Sequence, residues 1–197
     1  MKNIIKSELV IDKSPKIQRF IAFLWGLAEA SLFFIVPDVW LTIISRRKLD
    51  RAKYEAIGFA ILGALVGGTI IYWLARLDPD RMLGLIAEVP GINRVMVDKV
   101  RVQVETGGLA ALLLGPLQGI PYKIYAAQWG ITNGSLIWFW LISIPARGIR
   151  FVIASVLTRL IWIFGRKKFK FWNQCDLVLL LSFWVLFYLW YLSFFGW

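Results

Sequence analysis

FIAFLWGLAEASLFFIVPDVWLTIIS, residues 20–45, is the stretch that decides how the rest of the chain is read. It is almost wholly apolar and longer than the ~20 residues a helix needs to cross a bilayer core. It nevertheless carries Glu29 near its middle and a Val36-Pro37-Asp38 break, and a plain spanning helix has no use for either. Both flanks are basic, with Lys13, Lys16 and Arg19 before it and Arg46, Arg47, Lys48, Arg51 and Lys53 after it. Lys/Arg clusters stay on the cytoplasmic side of a membrane. The economical expectation is therefore a hairpin that enters the membrane, turns at Pro37-Asp38 and leaves by the same face. Such backbone survives at membrane depth only where protein or a water-filled cavity covers it. The hairpin is thus a candidate site as well as an anchor.

Working outward, the composition agrees with a membrane setting. The chain has 197 residues, of which 59% are hydrophobic, and a mean hydropathy of +0.67. With several long apolar runs, these values point to a polytopic membrane protein with one compact membrane domain. The net charge of +11 comes from 23 Lys/Arg against 12 Asp/Glu. The basic residues cluster between apolar runs, so topology and contact with anionic lipid headgroups explain them better than nucleic acid does. There is no His and one Cys, Cys175. Imidazole or thiolate metal cages, Ser-His-Asp and Cys-His catalysis and intrachain disulfides are excluded. No carboxylate metal cluster is evident and no cofactor is expected. No small-residue cleavage site precedes the first apolar run, so no cleaved signal peptide is expected.

Residues 1–19 are expected to form a cytoplasmic tail or short interfacial helix, with Ser14-Pro15 as a helix entry. Residues 56–75 form the cleanest spanning helix, in which Gly63, Gly67 and Gly68 bare one face for close helix packing. Residues 76–106 carry mixed charge. They are expected as two short surface helices on the non-cytoplasmic side, with Asp78-Pro79 opening one and Pro90-Gly91 turning between them.

Residues 107–132 repeat the architecture of the first unusual segment. Gly115-Pro116 and Gly119-Ile120-Pro121 interrupt an apolar run, with Lys123 just beyond. Each proline removes a backbone donor and clashes with the preceding turn, and two within six residues argue against one continuous helix. Paired, interrupted hydrophobic segments point to a transporter site at the bilayer midplane. Residues 135–164 are long enough to span and then extend, about 45 Å if helical. Pro145 is expected to kink that helix, and Arg147 and Arg150 share one of its faces at depth. Residues 166–170 are a basic stop, and 176–197 an aromatic-rich helix expected to face lipid. The expected fold is all-α, with two opposed re-entrant hairpins (20–45 and 107–132) packed among about three spanning helices.

Five ionisable residues are candidates. A carboxylate in an apolar arm, such as Glu29, is costly to insert, and could bind and release a proton near neutral pH. Pairing with Arg147, Arg150 or Lys123 as structural glue is the alternative. Asp38 is either a second coupling group or good turn chemistry after Pro37. Arg147 and Arg150 offer planar donor forks suited to a phosphate headgroup, and Lys123 offers a point charge. Gln118 and Tyr122 are possible polar lining, and Pro37, Pro116 and Pro121 mark the breaks.

The run Glu29-Ala-Ser-Leu-Phe-Phe-Ile-Val-Pro37-Asp38 resembles the first signature of the DedA/VTT family, the SNARE-associated Golgi protein superfamily. The Gly-rich stretch 63–72 resembles the family's next block. Gly119-Ile-Pro121-Tyr-Lys123, followed by Pro145-Ala-Arg147-Gly-Ile-Arg150-Phe, resembles the second hairpin and following helix of one branch. The likeness covers residues 20–165. It implies an integral membrane protein, bacterial inner membrane by analogy, associated with lipid translocation and proton-dependent membrane homeostasis. It places the family's acidic pair at Glu29 and Asp38. Many bacterial members carry Gly-Arg-Phe-x-Pro-Gly-x-Arg in the second hairpin; here Pro116 replaces the first arginine and Pro121-Tyr122-Lys123 lies near the second.

The expected function is transport or scrambling of a phosphate-bearing lipid, without enzyme activity. Glu29 and Asp38 would serve coupling, and Arg147, Arg150 and Lys123 would bind the headgroup. The expected partners are membrane lipids and not nucleic acid, with a homo-oligomer left open. A non-transporting assembly or homeostasis factor, and a small-solute or ion exporter, are the competing readings.

Overall fold

The computed structural model describes residues 14–169 and 172–196. The expected tail at 1–13 and Lys170 of the basic stop lie outside the described residues. Nine α-helices and one short 3₁₀ turn, and no strand, occur among the described residues. Three of the helices are long and apolar enough to cross a bilayer.

Helix α1 (Pro15–Ala30) begins with Ser14 at its N-cap and Pro15 at its first position, where a missing N–H costs nothing. It therefore starts ahead of the apolar run at Phe20. It ends where Ser31 turns its hydroxyl back to the carbonyls of Leu27 at 3.0 Å and Ala28 at 2.9 Å. The chain then runs non-helically to Pro37, the N-cap of α2 (Asp38–Ser45). The break thus occupies 31–37, wider than a turn at Pro37-Asp38 alone.

Helix α3 (Arg51–Leu77) starts earlier than the apolar stretch at 56, because Asp50 caps it by accepting the Lys53 N–H at 3.3 Å. It packs on α1 through bare backbone. A Cβ at Gly63 would strike the Phe23 carbonyl, and one at Gly26 the Ala60 carbonyl. Gly67 meets the Leu27 carbonyl in the same way. The small-residue face read from the sequence is therefore a packing face. Gly130, in a later helix, meets the Tyr72 carbonyl of α3 equally closely.

Asp78 caps α4 (Pro79–Ala87) by accepting the Arg81 N–H at 3.1 Å. Asn93 does the same for Met96 at the start of α5 (Arg94–Gly107), at 2.9 Å. Gly91, with φ +80°, turns the chain between them. These helices are amphipathic. Met82, Ile86, Met96, Val97, Val100 and Val104 are buried in the same core as Ile124–Ala127 of the second interrupted segment.

That segment forms α6 (Leu109–Leu114), a 3₁₀ turn (Pro116–Gln118) and α7 (Tyr122–Ile131). Gly119, at φ +84°, takes a left-handed conformation that only glycine adopts freely. Helix α8 (Leu136–Lys168) is continuous through Pro145. It also includes the basic Arg166-Lys167-Lys168 as its last turn, where cations complement the helix dipole. Helix α9 (Trp172–Phe195) completes the chain.

Contacts along α9 fix which loops share a side. Near its start, Asp176 bonds Arg46 and Arg47 at the end of α2. At its other end, the Gly196 carbonyl accepts the Gly91 N–H at 3.1 Å. Residues 46–47 and the α8–α9 junction therefore lie at one end, and the 88–92 turn and the C-terminal end of α9 at the other. This is the grouping that the basic clusters predict.

Candidate functional site

The two breaks meet. Lys123, the second residue of α7, is 1% exposed and donates to the Phe33 carbonyl in the first break at 2.6 Å. Side chains satisfy other backbone groups of that break: Trp25 Nε1 donates to the Ile35 carbonyl at 2.9 Å, and the Val36 N–H donates to the Tyr188 hydroxyl at 2.8 Å. Non-helical backbone in an apolar setting needs partners of this kind. Residues as distant in sequence as 25, 123 and 188 supply them.

All five ionisable candidates come together here. Arg147 Nη2 pairs with Glu29 Oε2, and Arg150 Nη2 pairs with Asp38 Oδ2. Arg147 is clamped further. Its guanidinium lies 4.5 Å from the Tyr122 ring centroid and 5.2 Å from that of Phe151, and Tyr122 is held by Ser143 at 2.8 Å. Glu29 is therefore not a lone carboxylate. The insertion-cost argument that singled it out is answered by a buried guanidinium one helix away. The charges comprise three cations (Lys123, Arg147 and Arg150) and two carboxylates. Lys123 has no carboxylate within ion-pair distance among the described residues, its ammonium being bonded to a carbonyl.

A cavity of about 470 Å³ lies against this cluster. Glu29, Asp38, Lys123 and Arg150 line it, as do Gln118, Pro116 and Pro121 from the second break. Arg150 is the most open of the paired charges, its side chain 29% exposed against 3–5% for Arg147, Glu29 and Asp38. Arg147, Tyr122 and Pro37 are not among the lining residues. The first two sit behind Glu29, and Pro37 caps α2. The first residue of α2 and the N-cap of α7 both reach the cavity, and half-helix N-termini carry partial positive charge.

Sequence reasoning missed two walls. Val89, Pro90 and Ile92 close one side, so the 76–106 segment belongs to the site and is more than surface. Trp184, Tyr188 and Tyr191 of α9 form another, and Trp184 Nε1 donates to Thr42 Oγ1 at 3.0 Å. Helix α9 presents lipid-type residues outward, with Phe183, Leu186 and Leu189 exposed, but it is not solely a lipid-facing span. The available signal was spacing: 184, 188 and 191 fall on one helical face and carry the polar tips that interfaces use. About 18 Å of helix separates Asp176 at one end of α9 from Tyr188 at the cavity, so the site is deep.

The fold and site thus define a protein that is all-helical among the described residues, with three helices long and apolar enough to span a membrane and a charged cavity where two broken helical segments meet. No protein-family model, curated protein or solved structure matches the chain.

Proposed function

We propose that the chain is an integral membrane protein that moves a phosphate-bearing lipid across the bilayer, as a transporter or scramblase. The two helix–break–helix segments would act as opposed re-entrant hairpins, as the resemblance to the DedA/VTT family implies, with a bacterial plasma membrane as its setting. The observation that carries this reading is the cavity itself. It is mostly apolar and built where two interrupted helices meet, and the charge cluster it lies against, with Arg147 behind Glu29, has one more cation than carboxylates. Arg150 and Lys123 are the groups proposed to meet the headgroup, Arg150 because it is the accessible fork. Arg147 would position Glu29 and not touch substrate. Coupling to protons would then require an ion pair to open, because Glu29 and Asp38 both carry guanidinium partners.

The two ion pairs also favour a second reading, a non-transporting membrane-organising protein whose buried charges are permanent clamps. Lipid translocation in proteoliposomes separates the two. Fluorescent lipids are reconstituted with the wild type, Arg150→Ala or Glu29→Gln, and an impermeant quencher is added. Transport predicts faster loss of protected fluorescence with wild type than in empty vesicles, and reduced loss with folded variants. Equal rates in wild-type and empty vesicles, over several lipids and with a proton gradient imposed, would leave the organising role.

A further inference from the structure

A second cluster of charge lies at the other end of α9, about 18 Å of helix from the cavity. Asp176 accepts from Arg46 Nε at 3.1 Å, from Arg47 Nε at 3.1 Å and Nη2 at 3.3 Å, and from Trp162 Nε1 at 3.2 Å. Two further guanidiniums lie against the same indole: Arg159 at 4.8 Å and Arg166 at 5.4 Å from its ring. Two arginines thus bond one carboxylate, and two more flank the indole that donates to it. Neither Arg159 nor Arg166 has an ion-pair partner among the described residues. Arg159 Nη1 and Trp172 Nε1 are both buried donors without an acceptor there. The Trp172 ring occupies the space above Gly165, next to Arg166.

Two orphaned donors, two guanidiniums without an ion-pair partner among the described residues and flanking indoles make a set that lacks one component, an oxyanion. Guanidinium forks match phosphate oxygens two at a time, and indole N–H groups at a membrane surface donate to polar headgroups. We infer that the last turns of α8 and the first residue of α9 bind a phosphate group through Arg159, Arg166 and Trp172, and that an anionic lipid of the adjoining leaflet supplies it. The bound headgroup ties the start of α9 to α8, and through Asp176 to the end of α2. The site is separate from the transport cavity, so it stands or falls independently of that reading.

Thermal melting of the full chain in neutral-detergent micelles tests it, with phosphatidylglycerol, phosphatidylcholine or inorganic phosphate added. The wild-type midpoint is expected to rise by several degrees with phosphatidylglycerol and not with phosphatidylcholine. The rise should vanish in R159Q/R166Q and persist in R94Q/K99Q, which removes the same charge from the opposite end. If R159Q/R166Q does not fold, R159K/R166K keeps the charge without the fork and should need several-fold more lipid. Inorganic phosphate reproducing the rise, with the same dependence on Arg159 and Arg166, would support the phosphate site and assign it to a soluble anion. Equal losses in R159Q/R166Q and R94Q/K99Q, unchanged lipid demand in R159K/R166K, or equal responses to the two lipids, would overturn it.

Discussion

Removing the Glu29 charge should be among the most damaging single changes in the chain, and removing Arg147 with it should restore much of what is lost. In Glu29→Gln, Arg147 stays 3% exposed with its carboxylate gone and Lys123 and Arg150 nearby. An uncompensated buried charge of this kind costs about 3–5 kcal/mol. The Tyr122 and Phe151 rings still face the guanidinium, at 4.5 and 5.2 Å, so their contribution survives that mutation. In Arg147→Met those contacts go, at ~0.5–2 kcal/mol each, and Glu29 is left buried as well. The double variant strands neither charge and should lose only the stacking. The coupling energy should therefore be about 3 kcal/mol, well beyond the ~0.5 kcal/mol within which independent sites add. A double-mutant cycle of reversible unfolding in mixed micelles measures it. Additive single-mutant effects would refute the inference that this pair is a buried, mutually dependent unit. The double variant is also the cleanest transport test, since it is expected to be folded yet to lack the carboxylate at the cavity wall.

Gly63→Ala should destabilise by about 1–3 kcal/mol, because its Cβ would meet the Phe23 carbonyl on α1, whereas Gly58→Ala, with nothing within 4 Å, should stabilise by about 0.5–1 kcal/mol; paired unfolding curves read both signs. Burial pushes the Asp50 carboxyl up, but the Lys48 bond and the neighbouring Lys53 outweigh it and hold the group below its ordinary value. A lowered folded-state pKa contributes stability at neutral pH that is lost as pH falls through it, so the melting difference between wild type and Asp50→Asn should shrink in acid, below about pH 4. On a Cys175→Ser background, cysteines placed at Lys48 and Lys99 should react with an impermeant thiol reagent from opposite faces of sealed vesicles. Labelling of both from one face would contradict the arrangement of loops along α9.

The helices and breaks were legible because their signals are local. Ser14-Pro15, Asp78-Pro79 and the Pro-Gly breaks act within one turn of themselves, and each marks an element boundary in the structure, whereas the cap at Asp50 went unread. Glycine spacing at 63 and 67 announced a close helix crossing for the same reason, though not that α1 is the partner. The five ionisable residues were found because a charge in an apolar run must be answered somewhere, and in the structure four are answered by one another and Lys123 by the Phe33 carbonyl. Which carboxylate met which arginine was not legible, since Glu29–Arg147 and Asp38–Arg150 depend on how α1, α2 and α8 lie against each other. Helix α9 was misjudged because its composition is almost uniformly apolar. Membership of a cavity wall rests there on two tyrosine hydroxyls and one indole N–H, which hydropathy does not weigh. The turn at Pro90-Gly91 was expected, but its place in the cavity wall was missed, because a short loop between charged helices carries no sign of what lies beneath it.

The arrangement of charge bears on which functional reading is stronger. A cluster that served only as a clamp would be expected to balance, since every buried charge left over carries a desolvation penalty. Here the pairs Glu29–Arg147 and Asp38–Arg150 cancel, and Lys123 remains with a carbonyl for its partner. That carbonyl, at Phe33, lies inside the break, three residues past the C-terminal end of α1, so the ammonium also offsets part of the negative end of that helix. An offset of that kind is partial, roughly half a charge, and leaves the cavity biased toward an anion. The bias lies beside Arg150, the exposed member of its pair, so an entering phosphate could share that guanidinium with Asp38 without breaking the buried Glu29–Arg147 pair. A permanent clamp gives no reason for one pair to be open to the cavity and the other sealed behind aromatic rings. The proposed anion site does: the sealed pair would fix the first broken segment, and the open pair would exchange partners.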